Sequence, residues 1–165
     1  MKLSRLFKHL LLPDWFVRRA FARADLAAIG DAIAACEESH RGELRLVVEG
    51  HLPVSALWRD VSPRTRAIEL FSSLRVWDTE ENSGILIYVQ LLDRRVEILA
   101  DRGIAARVPQ AEWDGICREL EASFRQGEWR RGALQAVARA GELLARHFPA
   151  GGSNPNELPD QPLIL

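Results

Sequence analysis

The sequence predicts an α/β fold, a three-layer α/β/α sandwich around a small mixed sheet, and three observations predict it. Apolar residues recur at helical spacing in several separate stretches, and between them lie short runs with the apolar, β-branched character of strands. Their order is helix, strand, helix, strand, strand, helix, helix. A helical crossover between the first two strands sets them parallel, and a tight turn after the second gives it an antiparallel hairpin partner. Helices are then available for both faces of the sheet.

Bulk properties agree. The chain has 165 residues, 47% of them hydrophobic and 27% charged, which suits one soluble domain with short flanks. A net charge of -1 argues against a dedicated nucleic-acid binder, whose basic footprint would show in the total. Cys36 and Cys117 both fall on apolar helix faces and read as buried thiols rather than a disulfide pair. No apolar run approaches a membrane span, and the run Leu10-Leu11-Leu12 is broken by Pro13 and Asp14 with no small-residue cleavage site after it. No signal peptide is read, and the expected location is cytoplasmic.

Taken in order, residues 1–23 carry Lys2, Arg5, Lys8, Arg18, Arg19 and Arg23 against Asp14 alone. Leu3, Leu6, Phe7, Leu10 and Leu11 recur at helical spacing between them. Two fates are open to such a segment: its apolar stripe docks on the domain, or it makes weak contact with an anionic membrane surface. The domain proper is expected over residues 24–149. Asp25 is the expected N-cap of a helix running to His40, with Leu26, Ile29, Ile33 and Cys36 inward and Asp31, Glu37 and Glu38 in water. Glu43–Glu49 follows as an interior strand. Residues 50–61 read as loop, and Ser62-Pro63 opens a helix that buries Ala67, Leu70, Phe71 and Leu74.

After an acidic loop, the strand from Gly84 to Leu92 is apolar on both faces and belongs in the centre of the sheet. Asp93-Arg94 is read as a two-residue hairpin turn into a strand over 95–101, where Val96, Ile98 and Ala100 alternate with polar residues. Pro109 opens a helix with Trp113, Ile116, Cys117, Leu120 and Phe124 inward, Gly127 ends it, and a last helix runs to about His147. Residues 150–165 are rich in Gly, Pro and Asn and read as an extended tail anchored by Leu163-Ile164-Leu165.

The motifs of phosphate-binding loops, dinucleotide folds and serine hydrolases are absent, and the four histidines lack metal-ligand spacing. What remains is oxygen. Asp78, Glu80, Glu81 and Asn82 precede the central strand, and Asp101 ends its antiparallel neighbour. Antiparallel pairing lays the start of one strand beside the end of the other, so Asp78 or Asn82 can meet Asp101 at one rim. Clustered carboxylate and amide oxygens suit a hard divalent cation such as calcium, though the loop is no EF-hand: its glycine comes seventh and Val89 stands at the closing position. Asp78, Asn82 and Asp101 are the candidate metal ligands; Glu43, Glu80 and Trp77 form a second tier on the same rim. The competing reading makes these acids a solvated edge and Trp77, like Trp113 and Trp129, a packing residue.

Several segments in sequence carry a resemblance. An amphipathic helix leads into Arg41-Gly42-Glu43-Leu44, then come Arg66-Ala67-Ile68-Glu69-Leu70-Phe71, Asn82-Ser83-Gly84-Ile85-Leu86-Ile87-Tyr88-Val89 and Asp101-Arg102-Gly103-Ile104, and last Phe124-Arg125-Gln126-Gly127-Glu128-Trp129-Arg130-Arg131-Gly132. Their order resembles the TPM-domain family, relatives of a thylakoid-lumen protein implicated in photosystem repair, over about residues 25–149. The resemblance implies the same sandwich, calcium or other divalent binding, and an acid phosphatase activity proposed for some members. Most relatives carry a signal peptide and often a membrane anchor; with neither read here, the chain resembles a compact soluble branch. Three functions are therefore expected in competition. The first is a module that binds a divalent cation or a protein partner in repair or quality control. The second is a metal-dependent acid phosphatase with Asp78 and Asp101 on the metal, and the third a peripheral membrane protein using residues 1–23.

Overall fold

A computed structural model gives the structure of the chain and describes residues 3–11, 15–151 and 155–165. Three strands form where the apolar runs place them: β1 (Glu43–Glu49), β2 (Gly84–Gln90) and β3 (Arg95–Ala100). β1 lies parallel to β2, with Glu43 opposite Gly84 and Glu49 opposite Gln90. β2 lies antiparallel to β3, with Ile85 opposite Ala100. The tail adds a fourth strand, β4 (Leu163–Ile164), parallel to β1 at Val47 and Val48, so the order across the sheet is β3-β2-β1-β4. Two residues are too few to show a strand period, which is why the tail reads only as an anchored extension.

The helices are α1 (Leu3–Leu11), α2 (Trp15–Ala20), α3 (Arg23–Glu37), α4 (Val54–Trp58), α5 (Pro63–Ser73), α6 (Arg102–Ala105), α7 (Gln110–Arg125) and α8 (Trp129–His147). Leu44, Leu46, Val48, Ile85, Ile87 and Val89 alternate onto one face and pack with Ile29 and Ile33 of α3, Ile116 and Leu120 of α7, and Val137 and Leu144 of α8. Val47, Leu86, Tyr88 and Leu99 meet Ala67 and Leu70 of α5, together with Leu158 of the tail. Three layers result, and every residue of β1 and β2 is buried because both faces are covered.

Local signals hold at most boundaries and fail at a few for definable reasons. Ser62 caps α5, its Oγ accepting from the Thr65 N–H at 3.0 Å, with Pro63 at the first helical position. Asp25 does not cap α3; the helix starts two residues earlier, and the Asp25 carboxylate reaches back to the Ala22 N–H at 3.2 Å. The β2–β3 turn spans four residues, Leu91 to Arg94, because Gln90 Oε1 accepts from the Asp93 N–H at 2.8 Å and Arg94 takes a φ of 54°. Residues 50–61 are not all loop, since Leu52, Ala56, Leu57 and Val61 gather into a small cluster of their own around α4. Trp113 is core, and Trp129 stacks near Phe124 with centroids 4.8 Å apart.

The first helix docks, but by the face opposite to the one expected. Arg5 donates to Asp93 at 2.9 Å and to the Val61 carbonyl at 2.9 Å, and Lys8 donates to the Leu92 carbonyl. His9 is buried, accepts from the Leu52 N–H at 3.1 Å, and bonds Asp93 Oδ1 at 3.1 Å. Phe7, Leu10 and Leu11 point out, with Leu11 73% exposed.

A buried ion pair ties α5 to the sheet. Glu49, 1% exposed at the end of β1, accepts from Arg66 Nη2 at 2.7 Å and from the Tyr88 hydroxyl at 2.6 Å. Burial and the Glu49 carboxylate push the Tyr88 phenol well above its usual range. Removing one partner leaves a buried charge uncompensated, so Arg66→Ala is expected to lower unfolding free energy by about 3–5 kcal/mol. Tyr88→Phe, which forfeits one hydrogen bond, is expected to cost about 1–3 kcal/mol in the same denaturant titration.

Candidate functional site

The register places the starts of β1 and β2 and the end of β3 on one rim of the sheet. At the β3 side the backbone closes tightly: the Asp101 N–H donates to the Gly84 carbonyl and the Gly103 N–H to the Asn82 carbonyl, each at 2.9 Å. A Cβ on Gly103 would lie 2.6 Å from the carbonyl oxygens of Glu81 and Asn82, so only glycine permits this approach. Asn82 and Asp101 are thereby brought together. Between them stands Arg102, whose Nε donates to Asn82 Oδ1 at 2.8 Å and whose N–H donates to Asp101 Oδ1 at 2.7 Å. Asp101 Oδ2 is buried without a hydrogen-bond partner among the described residues.

The remaining residues of that set spread along the rim. Asp78 sits on the exposed loop in a salt bridge with Arg75, and Glu81 is held by Arg41 at 2.8 Å. Glu80 is fixed through its backbone, the N–H donating to the Glu157 carboxylate at 3.1 Å. Trp77 is 47% exposed and is not a core residue. Guanidinium groups therefore meet Asp78, Glu81 and Asn82.

Glu43 lies further along, in a different environment. β4 pairs only with Val47 and Val48, so the first half of the β1 edge has no strand beside it. Side chains and the tail close that edge instead. Glu37, at the end of α3, turns inward and accepts the Leu44 N–H at 2.8 Å, while Glu43 accepts the Leu158 N–H at 3.1 Å. Arg45 donates to the carbonyls of Pro159 and Gln161, at 2.5 and 2.6 Å, and straps the tail down. What is left between α3, β1 and the tail is a cavity of about 300 Å³ lined by Glu37, Glu38, Glu43, Asn156 and Asp160.

The electrostatics of this cavity differ from those of the outer rim. Burial pushes the Glu37 carboxyl up to about 8, with the Glu43 and Asp160 charges adding to the shift. Burial likewise pushes Glu43 up to about 7, against the backbone N–H groups of Glu157 and Leu158 that favour its charged form. The donors are hard oxygens, mostly carboxylates. Among the described residues no group of three or more His, Cys, Asp or Glu side chains is arranged to hold a metal directly.

Glu37 was expected in water, yet it is only 7% exposed. Its position carried a signal, because it continues the i, i+4 series of Ile29 and Ile33 along the inner stripe. Asn156 and Asp160 carried none. They stand in an aperiodic tail, and only the tertiary clasp brings them to β1.

Comparison with known proteins places the chain. The family model of the TPM domain matches residues 18–143. The solution structure of the BA42 protein from the psychrophilic bacterium Bizionia argentinensis is similar at 28% identity and a TM-score of 0.76, over 87% of this chain and 94% of that one. The N-terminal domain of a protein from P. gingivalis shares the fold at 19% identity and a TM-score of 0.64, over 80% of this chain and 83% of that domain. The N-terminal domain of the cg2496 protein from Corynebacterium glutamicum shares it at 16% identity and a TM-score of 0.55, over 81% and 78%. No curated protein matches the chain. No helix among the described residues is long and apolar enough to cross a membrane.

The raised carboxyls make stability depend on pH. The folded state holds protons that the unfolded chain releases above its ordinary value of 4.5, so the destabilisation is absent below that value and complete above about 8. The melting temperature is therefore expected to fall between about pH 4.5 and about pH 8, and Glu37→Gln, which keeps an oxygen for Leu44, is expected to flatten that fall. Parallel curves for the two proteins would assign the pH dependence to other groups.

Proposed function

We infer the function from two premises: the chain belongs to the TPM-domain family, and its cavity gathers the carboxyls of Glu37, Glu43 and Asp160 between α3, β1 and the tail. The reading is a binding module that takes a hydrated divalent cation, calcium or magnesium, at the end of the sheet where β1 begins. Glu43 and Glu37 would hold it directly, with Asp160 and Asn156 reached through its bound water. The single observation that carries this reading is geometric: Glu37 and Glu43, both buried, line one cavity of about 300 Å³ together with Asp160. Burial raises both carboxyls, and a divalent cation would convert them to charged ligands by displacing their protons. The outer rim supports the reading less well, since arginines already occupy Asp78 and Asn82.

The cation would supply positive charge among the carboxyls of the cavity, fixing the tail against β1. That gives the proposed module a route from ion to partner. The segment from Glu157 to Gln161 bonds at once to β1 and to the loop before β2, so an ion bound beneath it sets how firmly it is held. The proposed role is binding; metal-dependent hydrolysis of p-nitrophenyl phosphate that Glu43→Gln abolishes would enlarge it to catalysis.

Calorimetric titration with calcium and with magnesium tests this directly. Saturable binding is expected near pH 8, with proton release and affinity weakening up to about tenfold per pH unit below about 7 for each proton displaced. Glu43→Gln is expected to abolish the heat and Asp101→Asn to leave it. The reverse pattern would move the ion to the Asn82–Asp101 rim. No heat from either ion up to millimolar concentration would overturn the proposal.

A further inference from the structure

At the end of the sheet opposite the acidic cavity, the N-terminal helix turns an apolar face to solvent. Phe7, Leu10 and Leu11 are 54%, 56% and 73% exposed, and Trp15 on α2 is 55% exposed. Their spacing puts the first three on one side of α1, while Arg5, Lys8 and His9 make up the side bonded to the domain. This is the reverse of how an amphipathic helix normally meets a soluble domain. The orientation is specified by bonds: Asp93 takes both Arg5 and His9, and although burial works the other way, their hydrogen bonds hold its carboxyl down at about 2. Helix α4 sits between the two stretches that grip α1, one at Leu52 and one at Asp60–Val61, and it too turns apolar side chains outward, with Val54 52% and Trp58 65% exposed.

We propose that the outward faces of α1, α2 and α4 form a docking surface for an anionic lipid membrane, on which the domain lies without spanning it. A helix with Phe and Leu on one side, flanked by tryptophans, has the composition of an interfacial segment, because an indole combines an apolar body with an N–H that stays at the wet boundary. Charge selects the partner. Arg19 on α2, Arg23 at the start of α3 and Arg94 beside Asp93 are exposed, and residues 1–23 carry six basic side chains against one acidic. Since Arg5 and Lys8 are engaged by the domain, attraction to the membrane falls to the outer arginines, and apolar insertion accounts for the larger share of binding. The acidic cavity, at the far end of β1 and β2, remains open to water in this orientation.

Co-sedimentation of the full chain with lipid vesicles tests the surface. Binding is expected to vesicles containing about one third phosphatidylglycerol and to be weak to phosphatidylcholine alone, with partial loss between about 0.1 and about 0.5 M salt. Tryptophan emission is expected to shift to the blue as Trp15 and Trp58 leave water. The double variant Phe7→Ser with Leu11→Ser is expected to lose binding by at least about tenfold while its melting temperature stays unchanged, because both side chains are exposed. Leu11→Ile keeps apolar area and is expected to bind as the wild type does. If the double variant fails to fold, Trp58→Ser on α4 gives an independent reading, with at least about threefold weaker binding expected. Equal sedimentation with and without anionic vesicles would overturn the proposal. So would light scattering that shows a dimer of the wild type and a monomer of the double variant, which would assign this face to a second copy of the chain.

Discussion

The edge of β1 is the constraint on which the rest of this structure depends. An interior strand with only one full-length neighbour presents a row of backbone groups that must find partners, and buried backbone groups without them are costly. The chain meets this in two unlike ways along seven residues. The second half is paired with β4, and the Leu165 N–H continues the ladder to the Val48 carbonyl at 3.0 Å. The first half is closed by the Glu37 carboxylate and by a tail that crosses without strand geometry. Closing an edge with a carboxylate puts a carboxylate where a strand would have put an amide. The acidic cavity is a direct consequence of that substitution.

Buried charge on β1 then divides into two kinds. Glu49 at its end has a guanidinium and a phenol, so its charge is met within the fold and ties α5 to the sheet. Glu43 at its start receives backbone N–H groups and, among the described residues, no hydrogen bond from a cationic side chain, and the nearby Arg45 gives its hydrogen bonds to carbonyls. One strand thus carries, six residues apart on the same face, an acid met by a guanidinium and an acid met by backbone N–H groups. The first keeps its charge within the fold, whereas burial raises the second so that it holds a proton at low pH. That proton links stability to pH through the cavity.

Much of the architecture is legible in the sequence because it rests on periodicities that burial enforces. β1, β2 and β3, the cap at Ser62 and the break at Gly127 all follow from patterns within about ten residues. The rim geometry of Asn82 and Asp101 is legible one step further, since pairing two adjacent strands suffices to bring them together. The charges that surround that rim are less legible: Arg102 and Arg75 are ordinary polar residues until the fold aims them at Asn82 and Asp78. The cavity is half legible. Glu37 lies on the stripe of Ile29 and Ile33 and Glu43 begins a strand, but Asn156 and Asp160 reach them over more than a hundred residues of chain, through contacts that no local pattern encodes.

The reversal of α1 has a physical cause that the helix alone does not contain. Amphipathicity states that two faces differ, and which one meets the domain depends on what the domain offers. Here the apolar residues around α4, Leu52, Ala56, Leu57 and Val61, close on one another in a cluster of their own. What the turn after β2 offers instead is an acid, Asp93, with the carbonyls of Leu92 and Val61 nearby. Partly buried, that acid is stable only with partners, and Arg5 and His9 supply them. Arg5, Lys8 and His9 are therefore drawn inward by a specific set of acceptors, and Phe7, Leu10 and Leu11 are left outward as the remainder. A hydrophobic surface produced in this way is held in a fixed orientation by the fold, which distinguishes it from a greasy segment that has merely failed to find a groove.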